Sequence, residues 1–430
     1  MVIFMNIAKT YGNIVRRYID TDPEKAKKLI IRGLYLESFR IRHFYDKRIP
    51  QAYKHLNYYG IRLVADALKK PETLAWTNIF APVEILQNFG LTSVSMECLS
   101  SYLSGFWLED AFIDRAETEA IAQTLCSYHK NFIGAADAGV IPKPAVGVTT
   151  SMVCDGNVQS FRYLHEQMGI PVYIIDVPYE DTPEAVQYVR EQLQELIAML
   201  EDITGRRFDE AALKAARDRE NKTKQYYLEY LDKRQHHEYP NTLTLILFQL
   251  FATHLDIGMQ WPLDVFREMS EEVERYPAAK GKRLFWIHLE PYAQESLRAY
   301  LNLGDEVSIS AGDFDLDYVK PLDIDHPLDA LAAKITGNIY NGDFSRKVDA
   351  VREMIKRYKP DGVVEFCHWG CAQSSGGVML MKQMVADLGL PMLILDGDAV
   401  DRRNSPDGQI RTRFEAFMEV LRQEDAKGGA

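Results

Sequence analysis

The sequence has few cysteines, no long apolar run and no excess of positive charge. Its 430 residues include only five cysteines, an odd number that argues against a disulfide framework and favours reduced thiols that are buried or bound to metal. No run of about 18 apolar residues is present, so the sequence predicts no transmembrane helix. The 62 acidic residues outnumber the 50 basic ones, and the net charge of −12 argues against nucleic acid as a partner.

Several well-known catalytic motifs are also missing from the sequence. There is no G-x-x-x-x-G-K followed by Ser or Thr, so we do not expect this chain to hydrolyse ATP through a P-loop. The motifs G-x-G-x-x-G, G-x-S-x-G and H-E-x-x-H are absent as well. The apolar start of the chain is too short for a signal peptide and no small-residue cleavage site follows it. We therefore expect a cytoplasmic protein.

What the sequence does contain is a unit that occurs twice, each time with a cysteine at the same place. Val146 lies eight residues before Cys154, and Val363 lies eight residues before Cys371. Each copy continues with an amphipathic stretch, a Gly-x-Pro turn and a second apolar run that ends in aspartate. This pattern predicts a strand, a cysteine-containing turn, a helix and a second strand. Each cysteine should then lie at the carboxyl edge of a parallel sheet, where open α/β sheets bind ligands.

The duplication extends upstream of both units. In each half an apolar strand is followed by a proline suited to a first helical turn, a helix, a glycine stop and an alternating strand. These patterns predict an α/β protein with two duplicated lobes that contain parallel sheets. The predicted segments are a helical N-terminal segment (1–72), a first α/β lobe (73–182), a helical segment that connects the lobes and shapes a substrate pocket (183–280), and a second α/β lobe (281–430).

Three of the cysteines are candidates for one shared ligand site. Cys154 and Cys371 occupy equivalent turns, and Cys126 lies just upstream of the first repeated unit. Three thiolates with one open position are a common form of reactive metal or cluster site. The alternative is that they are ordinary buried thiols, and no compact Cys-x-x-Cys spacing decides the matter. Cys367 is a further possible ligand, although core packing is favoured for it, and Cys98 is the weakest candidate.

Other polar residues are candidates for acid–base or binding roles. Glu84 and Glu295 each follow a proline after a predicted strand, so either could act as a general acid or base in a cleft between the lobes. Both could instead complement the dipole of a helix. His129 and Lys130 could contact an anionic cofactor or polarise a carbonyl group, or they could lie on a solvated face.

Four segments together resemble the 2-hydroxyacyl-CoA dehydratase / benzoyl-CoA reductase family. They are Leu125-Cys-Ser-Tyr-His-Lys, Thr149-Thr-Ser-Met-Val-Cys-Asp-Gly-Asn, His368-Trp-Gly-Cys-Ala-Gln-Ser and Leu395-Asp-Gly-Asp. The resemblance spans about residues 70–425, and the combination of segments is specific although each one alone is not. It implies two flavodoxin-like or Rossmann-like lobes in an oxygen-sensitive, D-component-type iron–sulfur subunit.

The resemblance also implies a cofactor, and a site to hold it. In such proteins a 4Fe–4S cluster is held between the lobes by three cysteines, which would be Cys126, Cys154 and Cys371 here, with Cys367 as a possible addition. Glu84 would be the polar group near the substrate. One branch of the family carries a double-cubane cluster on six cysteines, which is more than the five in this sequence.

The activity implied by the resemblance is a radical-type dehydration of a 2-hydroxyacyl-CoA to an enoyl-CoA. The substrate would be an acyl-CoA thioester, and a separate ATP-hydrolysing iron–sulfur activator protein would deliver one low-potential electron. The chain would work in a homodimer or a heterodimer. Two alternatives stay open: an ATP-dependent low-potential reductase of the double-cubane or benzoyl-CoA reductase type, and a non-catalytic two-lobed scaffold subunit.

Overall fold

The computed structural model describes the backbone over residues 2–428 and the side chains over residues 7–423. Residue 1 of the predicted N-terminal segment and residues 429 and 430 of the predicted second lobe lie outside this described part. None of the helices within it combines the length and apolar character needed to cross a membrane.

The N-terminal segment consists of three helices. They are α1 (Val2–Arg16), α2 (Pro23–His43) and α3 (Gln51–Leu68). The start of α2 is fixed locally, because the Asp22 side chain accepts a hydrogen bond from the backbone N–H of Lys25 and Pro23 occupies the first turn. Helices α2 and α3 pack against each other through faces that include Ile30, Leu34 and Leu56, all buried.

The first lobe is built on a parallel four-stranded sheet in the order β2-β1-β3-β4. Its strands are β1 (Leu74–Thr77), β2 (Thr92–Ser95), β3 (Val146–Thr150) and β4 (Val172–Ile175). Its helices are α4 (Val83–Asn88), α5 (Met96–Gly105), α6 (Glu109–Thr118), α7 (Ser127–Asp137) and α8 (Asp155–Met168). Strands β1 and β3 are buried at every residue, as expected for a parallel sheet that is covered on both faces.

Four helices connect the lobes. They are α9 (Pro183–Thr204), α10 (Glu210–Arg234), α11 (Leu243–His254) and α12 (Gln260–Glu272). Helix α11 is apolar around most of its circumference, and it is buried as that composition predicts. It packs on α3, while α10 packs on both α12 and α4. These helices therefore contact both the N-terminal segment and the first lobe.

The second lobe repeats the sheet of the first, with the order β6-β5-β7-β8. Its strands are β5 (Lys282–Ile287), β6 (Val307–Gly312), β7 (Gly362–His368) and β8 (Met392–Gly397). Its helices are α13 (Glu295–Leu301), α14 (Pro327–Thr336), α15 (Phe344–Tyr358), α16 (Ala372–Ser375), α17 (Val378–Asp387) and α18 (Asp407–Gly428). Two parallel sheets with one strand order confirm the predicted α/β class with duplicated lobes, and the order is that of flavodoxin-like folds.

The two lobes differ in the helix that follows their first strand. The duplication predicts a helix starting at Pro291, but α13 begins only at Glu295. Residues before it form a tight turn, in which the N–H of Gln294 donates to the carbonyl of Pro291 at 2.9 Å. The Asp407 carboxylate then accepts the N–H of Ser296 at 2.9 Å. The start of α13 is thus set by a residue of α18, which local sequence cannot reveal.

Candidate functional site

Three cysteines each stand immediately before a helix at the edges of the two sheets. Cys126 precedes α7 and Cys154 precedes α8 in the first lobe, while Cys371 precedes α16 in the second. Cys154 follows the carboxyl end of β3, and Cys371 follows the carboxyl end of β7. The repeated units therefore place their cysteines at the sheet edges that the sequence predicts, where open α/β sheets bind ligands.

The structure brings these three cysteines together across the boundary between the lobes. The turn before Cys371 lies so close to Cys126 that a Cβ added to Gly370 would lie 2.7 Å from the Cys126 backbone nitrogen. Burial raises the pKa of the Cys126 thiol well above its usual value, and the nearby sulfurs of Cys371 and Cys154 raise it further. Three thiols in one place cannot easily all ionise unless a cation joins them.

Gly370 makes this close contact possible, and its replacement is a test of the contact. Its φ of +83° is unfavourable for other residues, and the Cβ of alanine would overlap the Cys126 backbone. We expect Gly370→Ala to lower the free energy of unfolding by about 3 kcal/mol, measured by urea denaturation. Gly389→Ala is the control, because Gly389 has a φ of +72° with open space around its added Cβ. Gly389→Ala should lower the free energy of unfolding by only about 1 kcal/mol. Equal losses in the two variants would contradict the close contact between Gly370 and Cys126.

The turn that carries Cys154 is held in an unusual backbone conformation. Val153 has a φ of +75°, which is rare for a β-branched residue and persists only where the surrounding structure enforces it. The Cys154 sulfur accepts a hydrogen bond from the N–H of Gly156 at 3.2 Å. This sulfur is therefore oriented by its own turn, and the strained residue beside it is typical of a functional site.

Two buried histidines contact the sulfurs. His368 Nε2 lies 3.2 Å from Cys126 Sγ, and His288 Nε2 lies 3.5 Å from Cys371 Sγ. Burial lowers the pKa of both imidazoles, so both rings are neutral at neutral pH. Neither histidine was singled out as a site residue from the sequence, although His368 stands inside one of the motif segments.

His129 and Lys130 are buried, so the prediction that they could lie on a solvated face is wrong. The Lys130 ammonium lies 2.8 Å from a Glu117 carboxylate oxygen and donates to the Gln123 carbonyl. His129 Nδ1 is 2.8 Å from the Ser160 hydroxyl, and burial lowers the pKa of His129 to about 4. Lys130 is thus paired within the protein, and His129 is a neutral side chain that contacts Ser160 of α8.

The other two cysteines lie elsewhere in the core. Cys367 is still within β7, it is 3% exposed, and its Sγ donates to the Ser374 carbonyl at 3.4 Å. Burial raises the pKa of Cys367 to about 12, so it is a protonated thiol. Cys98 is likewise buried, in the first turns of α5. These contacts favour core packing for Cys367, and its role as an additional ligand stays a prediction.

Glu84 lies in a buried cluster of charges that joins three segments of the chain. Its Oε1 is 2.6 Å from Arg217 Nη2 and 2.8 Å from Lys334 Nζ. Glu220 is the second carboxylate of the cluster, 2.8 Å from Arg217, 2.7 Å from Lys334 and 2.9 Å from Lys224. Glu84, Arg217 and Lys334 belong to α4, α10 and α14 respectively. The carboxylate of Glu84 is therefore already occupied by two cations, and its catalytic role stays a prediction.

Removing the charge of Glu84 should destabilise the fold rather than only slow a reaction. In Glu84→Gln the three cations Arg217, Lys224 and Lys334 have only the Glu220 carboxylate as their anion. We expect the free energy of unfolding to fall by about 3 kcal/mol, measured by urea denaturation. Glu295→Gln, at the exposed counterpart in the second lobe, should change it by less than about 0.5 kcal/mol. Unchanged stability with a large loss of turnover in Glu84→Gln would instead support a catalytic role.

Glu97 is a better-placed carboxylate, and the sequence reasoning missed it. It lies in the first turn of α5, just beyond the carboxyl end of β2. Burial raises the pKa of Glu97 to about 7, although the Ser95 hydroxyl and the Ile79 N–H favour its anion. Its Oε2 atom is buried with no hydrogen-bond partner among the described residues. Its charge makes a small contribution to the raised pKa of the Cys154 thiol, so the two groups are within electrostatic reach of each other.

A small cavity is lined by residues of both lobes and of the helices that connect them. It has about 40 Å³ of free space. Ile79, whose N–H faces Glu97, lines it together with Met152, two residues before Cys154. Lys224 and Lys334 contribute their side chains to its wall, as do Asp315, Asp317 and His254. The cavity is therefore polar on one part of its surface.

The three cysteines are of the residue type that could hold an iron–sulfur cluster. Within residues 7–423, no three His, Cys, Asp or Glu side chains are arranged to hold one ion. A cluster is a larger body than an ion, so the thiolates around it are further apart. Cysteine thiolates are also the usual ligands of iron–sulfur clusters. Three converging sulfurs, two of them touched by histidines, form such a donor set.

Comparisons with known proteins agree with this geometry. The family model described as "2-hydroxyglutaryl-CoA dehydratase, D-component" matches residues 78–421. The chain is 21% identical over 406 residues to the (R)-phenyllactyl-CoA dehydratase alpha subunit of Clostridium sporogenes, covering 89% of this chain and 98% of the relative. It is 25% identical over 320 residues to the (R)-2-hydroxyglutaryl-CoA dehydratase alpha subunit of Acidaminococcus fermentans, covering 67% of this chain and 63% of the relative.

One of the relatives is a subunit of a reductase. This benzoyl-CoA reductase subunit of Thauera aromatica is 21% identical over 350 residues, covering 72% of this chain and 79% of that protein. The region matched by the family model contains all three converging cysteines and most of both sheets. The chain therefore belongs to the 2-hydroxyglutaryl-CoA dehydratase D-component family, and it is an enzyme of the dehydratase-like or related reductase type.

Proposed function

We propose that this chain is the cluster-holding subunit of an enzyme that dehydrates a 2-hydroxyacyl-CoA to an enoyl-CoA. The observation that carries the proposal is the convergence of Cys126, Cys154 and Cys371 from both lobes. These residues would hold a 4Fe–4S cluster through their thiolates and leave one iron open. When bound, such a cluster supplies a Lewis-acidic iron and an electron at low potential.

In this reaction the hydroxyl group leaves C2 of the acyl chain, a proton leaves C3, and the two depart as water. Glu97 is our proposed acceptor for the C3 proton, since its carboxylate is buried within electrostatic reach of the Cys154 thiol and keeps one oxygen free of any partner among the described side chains. Its pKa of about 7 suits a group that takes up and releases a proton at neutral pH. The buried walls of the neighbouring cavity exclude water from the reacting groups.

The chain would need two kinds of partner for this activity. An ATP-hydrolysing iron–sulfur activator protein would deliver the electron, because this sequence has no P-loop motif of its own. The electron would be recycled after each elimination. A second subunit, identical or different, would complete a dimer. The relatives' names support this, since each of them is named as one subunit of its enzyme.

A low-potential reductase is the second candidate, and the benzoyl-CoA reductase relative favours it. The double-cubane form of that activity is disfavoured by the residues present. Six thiolates exceed the five cysteines of the chain, and the Cys367 thiol donates a hydrogen bond to a backbone carbonyl. The relative that is matched over 98% of its length is a dehydratase subunit. We therefore favour dehydration.

A direct assay distinguishes these functions. The full chain is reconstituted anaerobically with iron and sulfide, and given a chemical one-electron reductant of low potential. Short 2-hydroxyacyl-CoA thioesters are then supplied, and the products are identified by mass spectrometry. We expect enoyl-CoA from the 2-hydroxy substrates and none from the matching 3-hydroxy isomers. Reduction of benzoyl-CoA without dehydration would favour the reductase, and a folded chain that takes up no iron would leave only the scaffold.

A further inference from the structure

We propose that His368 raises the reduction potential of the cluster by donating an N–H hydrogen bond to the sulfur of Cys126. This inference rests on the proposed function, because it concerns the cluster that the three cysteines would hold. His368 is the last residue of β7 and is 1% exposed. Its Nε2 atom lies 3.2 Å from Cys126 Sγ, which is within hydrogen-bond distance for sulfur.

The direction of this hydrogen bond follows from the other side of the ring. The backbone N–H of Ala399 lies 3.1 Å from His368 Nδ1. A backbone N–H can only donate, so Nδ1 must be an acceptor and carries no hydrogen. This excludes both the imidazolium ion and the tautomer protonated at Nδ1. The single ring hydrogen is therefore on Nε2, and it points to the sulfur.

The neighbouring carboxylate does not compete for the ring. Asp398 Oδ1 is 3.9 Å from His368 Nδ1, beyond hydrogen-bond distance. That oxygen already accepts the Ser127 hydroxyl at 2.5 Å and the backbone N–H groups of Val400 and Asp401, each at 2.9 Å. Its acceptor capacity is used by these three donors, so the loop after β8 fixes the ring orientation without changing the tautomer.

The ring is also held by packing. The Tyr128 ring and the imidazole pack edge to face with 5.4 Å between centroids, and Tyr128 is itself buried directly after Cys126 and Ser127.

The contact at Cys371 differs, because His288 Nε2 is 3.5 Å from that sulfur and its Nδ1 has no partner within the described part of the chain. The tautomer of His288 is thus not fixed, whereas that of His368 is.

A fixed N–H donor at a ligating sulfur has a defined electrostatic effect. It stabilises negative charge on the sulfur, and the reduced cluster carries one more negative charge than the oxidised one. Hydrogen bonds to sulfur therefore favour the reduced state and raise the potential. His368 is a positioning residue in this sense, since it acts through Cys126 and not on the substrate.

The test is a redox titration monitored by electron paramagnetic resonance on the reconstituted full chain. His368→Leu removes the donor, and we expect about a tenfold shift of the reduction equilibrium toward the oxidised state, which is about 59 mV more negative for one electron. His368→Gln keeps an N–H donor on a side chain of similar reach and should restore most of the potential. His165→Leu removes a histidine that lies at the far end of α8 and bonds the Ile170 carbonyl, so it should change nothing.

Equal potentials for wild type and His368→Leu would overturn the inference while leaving the proposed function intact. If His368→Leu does not take up iron, a chain labelled with ¹⁵N-histidine provides the second measurement. In a His288→Leu background, which removes the histidine near Cys371, pulsed magnetic resonance of the reduced cluster should still detect a weakly coupled histidine nitrogen and an exchangeable proton. Their absence would overturn the inference. A wild-type chain that binds no cluster would contradict the proposed function and this inference together.

Discussion

Cys154→Ser is expected to lower the iron content of the reconstituted chain from about four atoms to less than about one, and to abolish dehydration. A serine hydroxyl is a poorer ligand for cluster iron than a thiolate. The loss should be large because the Cys154 sulfur is oriented by its own turn, where the Gly156 N–H donates to it. No neighbouring cysteine is placed to substitute, since Cys98 and Cys367 are buried in core positions. Anaerobic iron and sulfide analysis measures the effect.

Cys367→Ser is the matched control for this substitution. Cys367 is buried in the second lobe, and a serine hydroxyl can replace its hydrogen bond to the Ser374 carbonyl. We expect this variant to keep the iron content and the activity of the wild type. The opposite pattern, with iron kept in Cys154→Ser and lost in Cys367→Ser, would show that the ligand set is wrong.

Glu97→Gln should lower kcat by about 10²- to 10⁴-fold while leaving the iron content unchanged. The amide keeps the shape of the side chain but cannot accept a proton from C3 of the substrate. Because the pKa of Glu97 is about 7 and the base form is the anion, wild-type kcat/KM should rise as the pH increases through about 7. This rise should be missing in Glu97→Gln.

Measuring both the pH profile and the iron content distinguishes loss of the catalytic base from loss of the cluster. Glu97→Asp keeps the carboxylate on a shorter side chain and should retain the rise with pH at a lower rate. If Glu97→Gln loses iron, its slow turnover does not test proton transfer. The pH profile of Glu97→Asp then tests the role of the Glu97 carboxylate. A kcat within tenfold of wild type, or an unchanged pH profile in Glu97→Gln, would contradict the role of Glu97.

The main architecture of the fold could be predicted from the sequence because the duplication is local and repeated. Val146 and Val363 stand at the same distance from their cysteines, so each half supports the interpretation of the other. Strands and helices of a parallel α/β sheet have clear periodic patterns. The common strand order of the two sheets follows from this repeat, and so do the sheet-edge positions of Cys154 and Cys371.

The side-chain partners could not be predicted, because they come from distant parts of the chain. Glu84 meets Lys334, which is 250 residues away in sequence, so its position after a proline gave no indication of the charge cluster. Cys126 meets His368 across 242 residues. Glu97 was overlooked because a glutamate in a first helical turn is common, and only the folded chain reveals its free oxygen.

The ends of elements were equally hard to predict where tertiary contacts decide them. Pro291 suggested a helix start, but the carboxylate of Asp407 caps the chain at Ser296 instead. His129 and Lys130 follow Cys126 in a sequence that gives no sign of burial, yet His129 contacts Ser160 of α8 and Lys130 pairs with Glu117. These positions depend on packing between segments, which periodicity does not encode.

Mössbauer spectroscopy with iron and sulfide quantitation on the anaerobically reconstituted wild-type chain tests most directly whether the three cysteines hold a 4Fe–4S cluster. We predict about four irons and four sulfides per chain. One iron should be distinguishable from the other three, because Cys126, Cys154 and Cys371 leave it without a cysteine ligand. Near eight irons would contradict this prediction in favour of a double-cubane cluster, and a folded chain without iron would contradict any cluster on these cysteines.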